Sequence, residues 1–213
     1  MPNFAHFDWS PVELYEPIWI GVGLCVCLEG IPHPKDAVVI KLRPSTVFGT
    51  GGHPATRAVL NHLVHMEIKD RRVVDFKCGT GLLGIFCAFF GAAHVVHLDD
   101  DSKAVEETVE NGMLNDCVIA IANLTRETSS RGKCGSHTRL EPSDILVTSQ
   151  GSLALLQSDI GLIHELLDSG GRVLWGGHSP REHRAVENLM GEFFVVETVD
   201  DELRWPVIIA RKK

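Results

Sequence analysis

No apolar stretch in the 213 residues approaches the ~18 that a membrane-crossing helix needs; the longest, Ile18–Leu28, is broken by Gly21 and Gly23. An export signal is missing too, because Met1-Pro2-Asn3-Phe4 places no basic segment ahead of an apolar core. Cations are scarce: Lys plus Arg number 20 against 28 Asp plus Glu, a net charge of −8. A field of that sign repels phosphate backbones and argues against broad nucleic-acid binding. Metal-ligand patterning is sparse as well. Of six cysteines, Cys25 and Cys27 share one strand face, but no second ligand pair accompanies them. With no export signal, the thiols read as reduced and mostly buried, in neither disulfides nor a zinc site. The expectation is a cytoplasmic protein with no membrane or nucleic-acid partner. What remains, 44% hydrophobic and 23% charged residues, is a globular composition. A chain of this size buries roughly 70% of its unfolded surface and needs no staple.

Residues 1–45 read as an N-terminal extension with short strands, Ile18–Leu28 and Ala37–Leu42, joined by a turn at Gly30–Pro34. Residues 46–213 read as the catalytic domain. Its first helix is expected over Thr56–Met66, after a Gly-rich loop. From Arg72 strands and helices alternate. Strands are expected at Arg72–Phe76, Val95–Leu98, Val118–Ala122, Ile145–Thr148 and Arg172–Trp175. Helices are expected at Leu82–Gly91, Ser102–Leu114, Ser152–Leu167 and Pro180–Met190. Ser102 is the expected N-cap of its helix, with Val105, Val109 and Met113 inward. Asn123–Pro142 reads as an exposed loop, and Gly170-Gly171 as a break before the next strand. This grammar predicts an α/β fold with a mostly parallel sheet of Rossmann-like type. Phe193–Thr198 and Trp205–Arg211 are joined too tightly for a crossover, so the sheet ends in an antiparallel hairpin.

The chemistry concentrates between Val73 and Asp99. A strand carrying Asp75 runs into Lys77-Cys-Gly-Thr-Gly81, which opens a helix. Gly79 and Gly81 allow a sharp turn and close approach of a ligand, and the helix start adds free N–H groups. Asp99 ends the second strand 20 residues after Gly79, where a carboxylate accepts from ribose hydroxyls. Gly79, Gly81 and Gly84 also satisfy dinucleotide spacing, so an NAD-dependent oxidoreductase stays open. Asp75 favours S-adenosylmethionine instead, since a carboxylate there crowds a pyrophosphate but suits an amino group.

Three segments resemble the PrmA-type ribosomal-protein lysine methyltransferases. They are Phe48-Gly-Thr-Gly-Gly-His-Pro-Ala-Thr56, Val74-Asp-Phe-Lys-Cys-Gly-Thr-Gly-Leu-Leu83 and Phe90-Gly-Ala-Ala-His-Val-Val-His-Leu-Asp-Asp-Asp101. The family order is F-G-T-G-x-H-x-T-T, D-x-G-C-G-S-G-I-L and G-A-x-x-V-x-x-x-D-I-D. Asn111, Asn115 and Trp205 also fit. The resemblance implies a seven-stranded methyltransferase domain, S-adenosyl-L-methionine as cofactor, and family contacts on Thr56, Lys77, Asp99 and Ser149. The full candidate set is Phe48, Thr50, Thr56, Asp75, Lys77, Cys78, Gly79, Gly81, Asp99, Asp100 and Ser149, with His53 the candidate catalytic base, His178 a second, and no metal. Phe48, Trp9 and Trp175 are rings that suit a sulfonium face. The chain departs from the pattern at Lys77 (family glycine), Ser149 (family Asn) and Ala55 (family Thr), and the family's N-terminal recognition module has no counterpart. The implied activity is N-methylation of a protein lysine or of an amine-bearing small molecule. A methyltransferase-fold binding or regulatory protein with weakened cofactor binding is the alternative. Residues 1–36 are expected to cap the pocket or to form a homodimer contact.

Overall fold

The computed structural model describes residues 16–20, 23–118, 120–123, 133–134, 138–200 and 205–213. A small sheet comes first: β1 (Ile18–Trp19), β2 (Leu24–Leu28) and β3 (Val38–Leu42). The expected single strand Ile18–Leu28 is therefore two, since Gly23 at φ +80 breaks it and β1 folds back antiparallel on β2. β3 pairs parallel to β2, so residues 29–37 form a return across the sheet end, not a hairpin turn. Leu24, Val26, Ile40 and Leu42 pack in one apolar cluster with Leu82, Ile85 and Phe86.

The main sheet has seven strands: β4 (Arg72–Phe76), β5 (His94–Asp99), β6 (Ala120–Asn123), β9 (Ser143–Thr148), β10 (Leu167–Gly176), β11 (Phe194–Asp200) and β12 (Val207–Lys212). Two-residue strands β7 (Lys133–Cys134) and β8 (Thr138–Arg139) pair inside the expected loop. The sheet order is β11-β12-β10-β9-β4-β5-β6. All pairs are parallel except those of β12, which is antiparallel to both β10 and β11. The expected hairpin thus places its second strand between β10 and β11. The order reverses direction at β4/β9, where open α/β sheets leave a crevice at the strands' carboxyl ends.

Helices α1 (Pro54–Leu63), α2 (Leu82–Phe89), α3 (Ser102–Leu114), α4 (Leu153–Glu165) and α5 (His183–Phe193) flank the sheet. Residues of α1 and α2 share an apolar cluster with Val73, while α4 and α5 pack against Val74, Phe76 and Trp175. The two clusters use alternate residues of β4, as a two-sided buried strand requires. Trp175 is fully buried between Phe76 and α4, so it packs the core and faces no ligand.

Three expectations shift. Asp101, not Ser102, caps α3, its carboxylate accepting from Lys103 N at 2.9 Å. The inner face of α3 is Ala104, Thr108 and Asn111, whereas Met113 is 72% exposed. Gly170-Gly171 does not interrupt the strand; β10 runs through it, with a register shift between Leu167 and Arg172. Trp9 lies outside the described residues.

Candidate active site

The bend after β4 is shaped by close backbone approaches. Lys77, Gly79 and Gly81 all take positive φ, at +56, +57 and +79. A Cβ on Gly79 would stand 2.2 Å from the Phe48 carbonyl oxygen, and one on Gly81 2.8 Å from Thr108 Cγ2, so both positions exclude side chains. The bend is stitched to the Gly-rich loop: Thr80 N donates to Phe48 O at 3.0 Å and Thr80 Oγ1 to Gly49 O at 2.8 Å. From the other side α3 holds it. Thr108 Oγ1 donates to Gly79 O at 3.0 Å and Asn111 Nδ2 to Thr80 O at 2.9 Å. Asn111 Oδ1 also accepts from Arg43 N, and Asn115 brackets Lys41 by accepting from its N–H and donating to its carbonyl. The pair Asn111 and Asn115, one helical turn apart, straps β3 to the glycine bend.

Asp99 is turned toward this bend. One carboxylate oxygen accepts from Gly79 N at 2.9 Å and the other from Asp101 N at 3.1 Å. Burial raises its carboxyl above the usual range, while those two N–H groups and the Lys77 charge pull it down. Each oxygen keeps acceptor capacity for a hydroxyl. Lys77 takes the left-handed conformation expected to cost roughly 1–2 kcal/mol for a residue with a Cβ. Its ammonium forms an ion pair with Asp100, and the Lys77 side chain is only 17% exposed.

A cavity of about 500 Å³ opens here, lined by Lys77, Gly79, Asp99, Asp100, Gln150 and Phe48 among others. Thr46, Val47, Phe48 and Lys103 also line a second hollow of about 1140 Å³, which reaches Thr50, His53 and Glu107. The first is within the size range of small-molecule sites. The donor set also suits S-adenosylmethionine: a carboxylate for ribose hydroxyls, a glycine bend too tight for any Cβ, and room for a nucleoside beside Asp99.

Of the candidate residues, Phe48, Lys77, Gly79, Asp99 and Asp100 come together in this cavity, and Thr50 and His53 in the second hollow. Thr56 and Ser149 line neither; both are buried and their hydroxyls meet at 3.3 Å. Asp75 is a correction. Its carboxylate is buried and lines neither cavity; Oδ2 accepts from Gly84 N at 2.9 Å and meets His97 Nδ1 at 3.2 Å, while Oδ1 has no hydrogen-bond partner among the described residues. The Cys78 thiol also faces inward, on Thr108 Oγ1 at 3.3 Å; burial and then the Asp75 charge push its pKa well up, and only its main chain shapes the bend.

His53 caps α1, Nδ1 accepting from Ala55 N at 3.0 Å, and its ring packs between Phe48 and Trp205 with centroids at 5.0 and 4.6 Å. Burial lowers its pKa, so it is neutral at pH 7, and a neutral ring accepting at Nδ1 carries its proton on Nε2. The candidate base is therefore held in the tautomer of a donor. His178 is fully buried, pairs with His183 at 3.0 Å and lines neither cavity. Gln150, Thr108 and the Asn115 bracket were not singled out as site-building residues. Only the fit of Asn111 and Asn115 to the family pattern pointed toward part of this set.

Among the described residues no group of three His, Cys, Asp or Glu side chains is placed to hold a metal ion, and no helix is long and apolar enough to cross a membrane. The strand order, the glycine bend and the acidic tip of β5 together define a Rossmann-like methyltransferase fold. The model of the family described as ribosomal protein L11 methyltransferase (PrmA) matches residues 3–213, and the chain belongs to that family. Among similar curated proteins, the ribosomal protein L11 methyltransferase of a Marinomonas species is 29% identical over 211 residues, covering 96% of this chain and 67% of the relative. That of Acinetobacter baumannii is 31% identical over 207 residues, covering 95% and 66%. The chain thus spans about two thirds of the length of the curated relatives it matches. Among solved structures, the ribosomal protein L11 methylase of Lactobacillus delbrueckii subsp. bulgaricus superposes with a TM-score of 0.77 at 22% identity, covering 93% of this chain and all of that one. A T. thermophilus 16S rRNA methyltransferase in complex with AdoMet and guanosine gives 0.62 at 21% identity, covering 81% of this chain and 46% of that one.

Proposed function

We propose that the chain is an S-adenosylmethionine-dependent methyltransferase that N-methylates a protein amine, with ribosomal protein L11, the protein in its relatives' name, as the acceptor. The observation that carries this reading is a pair of cavities that share Thr46, Val47, Phe48 and Lys103 in their walls: one has the carboxylate and glycine bend for a nucleoside, and the other is large enough for an acceptor side chain. When bound, S-adenosylmethionine supplies an electrophilic methyl group on a sulfonium.

The protein's part is alignment. Asp99 and Gly79 fix the nucleoside end, and Phe48 stands in the shared wall, where the methyl donor and acceptor nitrogen must lie about 3 Å apart and in line. Phe48 and His53 give the acceptor side an aromatic wall that suits an ammonium-bearing side chain, with Trp205 packed against the His53 ring. An amine attacks only when neutral, and an apolar wall favours the neutral form. With His53 Nδ1 committed to the helix cap, His53 shapes the wall, and the amine gives its proton to solvent. Glu29, Glu107 and Glu110 line the same hollow together with Arg43 and Lys103, and Glu110 is paired to Arg43.

The test is methyl transfer from methyl-labelled S-adenosylmethionine to purified ribosomal protein L11 and to cell extract split into protein and metabolite fractions. Label in L11 is the expected result. Label confined to the metabolite fraction replaces the protein acceptor with a small amine. No label, together with no heat on calorimetric titration with S-adenosylhomocysteine, overturns the reading and leaves a binding protein on the same fold.

A further inference from the structure

Two residues of the cavity have no part in the alignment just described. Gln150 Nε2 donates to the Lys77 main-chain carbonyl at 2.8 Å. A carbonyl only accepts, so the amide must present its nitrogen there and keep Oε1 as an acceptor. Gln150 lines the cavity beside Gly79, and a Cβ on Gly79 would touch Gln150 Nε2 at 3.2 Å. Lys77 occupies the same wall. Its side chain is drawn in against Asp100 instead of extending into solvent, although its backbone is held in a conformation that disfavours any side chain. One wall thus carries a cation, held by Asp100, and an amide whose nitrogen is tied to the Lys77 main chain and whose oxygen remains an acceptor.

We propose that Lys77 and Gln150 form the amino-acid end of the cofactor site, the Lys77 ammonium taking the α-carboxylate and Gln150 Oε1 accepting from the α-ammonium. This rests on the reading of the cavity as the S-adenosylmethionine site. A free zwitterion offers one anion and one three-proton donor, and the wall offers the complement of each. Asp100 holds the lysine in the carboxylate's stead and yields it when the ligand enters. The carboxylates of Asp99, Asp100 and Asp159, all within the field of Lys77, keep the surroundings negative, so the lysine does not turn away a cationic ligand.

Calorimetric titration with two ligands tests this. S-adenosylhomocysteine carries the amino-acid end, and 5′-methylthioadenosine has the same nucleoside thioether without it. Wild type is expected to prefer S-adenosylhomocysteine. Lys77→Met and Gln150→Leu should each cut that preference about tenfold, the worth of one charge-assisted hydrogen bond, with 5′-methylthioadenosine binding weakened far less than S-adenosylhomocysteine binding. Lys77→Arg, which keeps the cation, should retain most of the preference. Thermal unfolding checks that each variant is folded; Lys77→Asn, which tolerates the left-handed backbone, replaces Lys77→Met if that variant is not. An unchanged preference, or both ligands weakening in parallel, overturns the assignment while the cofactor reading stands. Failure of wild type to bind either ligand removes both.

Discussion

Gly84→Ala should lower stability in the wild-type chain and raise it in a chain that also carries His97→Ala. Gly84 lies in the first turn of α2, against the fully buried imidazole of His97. An ideal Cβ there would stand 2.2 Å from Cε1, 2.7 Å from Nδ1 and 2.8 Å from Nε2. His97 is held by Asp75, whose Oδ2 also takes Gly84 N, so the ring has little freedom to retreat. Overpacking of this kind costs about 1–3 kcal/mol. Against it stands the ordinary gain of alanine over glycine in a helix, about 0.5–1 kcal/mol. The net expectation is a loss of about 1–2 kcal/mol in the wild-type background. With His97 cut to alanine the collision disappears and the helix gain remains. The cost of leaving Asp75 without its imidazole is common to both His97→Ala chains and cancels in the cycle. Urea unfolding of the four proteins, followed by tryptophan fluorescence, measures each corner. A Gly84→Ala effect of the same sign and size in both backgrounds would refute the packing argument.

Asn111→Ala should cost about 1–3 kcal/mol, because it strands the buried Thr80 carbonyl and removes the acceptor of the part-buried Arg43 N–H, and it should also weaken S-adenosylhomocysteine binding through the loosened bend; denaturant melts and calorimetry read the two effects. Gly79→Ala should abolish detectable S-adenosylhomocysteine binding, since its Cβ would meet the Phe48 carbonyl at 2.2 Å; binding at wild-type strength would show that the bend is not the ligand's seat. Burial, then the His183 charge, pushes His178 down to about 4, with Glu182 opposing. Between its ordinary value of 6.5 and about 4 the unfolded chain binds a proton that the folded chain refuses. Stability should therefore fall as pH drops through that window, by about 3 kcal/mol, and His178→Gln should flatten this part of the profile measured by urea midpoints.

The parts of the site legible in the sequence are those dictated by local backbone demands. Gly79 and Gly81 had to be glycine because their conformation and neighbours exclude a Cβ, and Asp99 had to end a strand to face them. The element order, with its reversed last strand, followed from connection lengths. The inner face of α3 was misplaced because helical periodicity looks for apolar residues, whereas Thr108 and Asn111 are inside to satisfy backbone groups of distant segments. Asp75 pointed elsewhere for a similar reason: its partner His97 lies on the neighbouring strand, a pairing that spacing alone does not show. The parallel course of β2 and β3 was hidden because a short polar connection suggests a hairpin, and the apolar contact with α2 overrides it.

The placement of β12 has a consequence for biosynthesis. Val207–Lys212 sits between β10 and β11, strands that are both made before it. Until those residues emerge, β11 has no neighbour and the ladder of β10 stays open on that side, so a nascent or truncated chain displays two unpaired strand margins. Assembly therefore finishes by insertion rather than by addition at a border. Loss of Val207–Lys212 should expose the chain to aggregation while the distant β4–β5 half retains its hydrogen bonds.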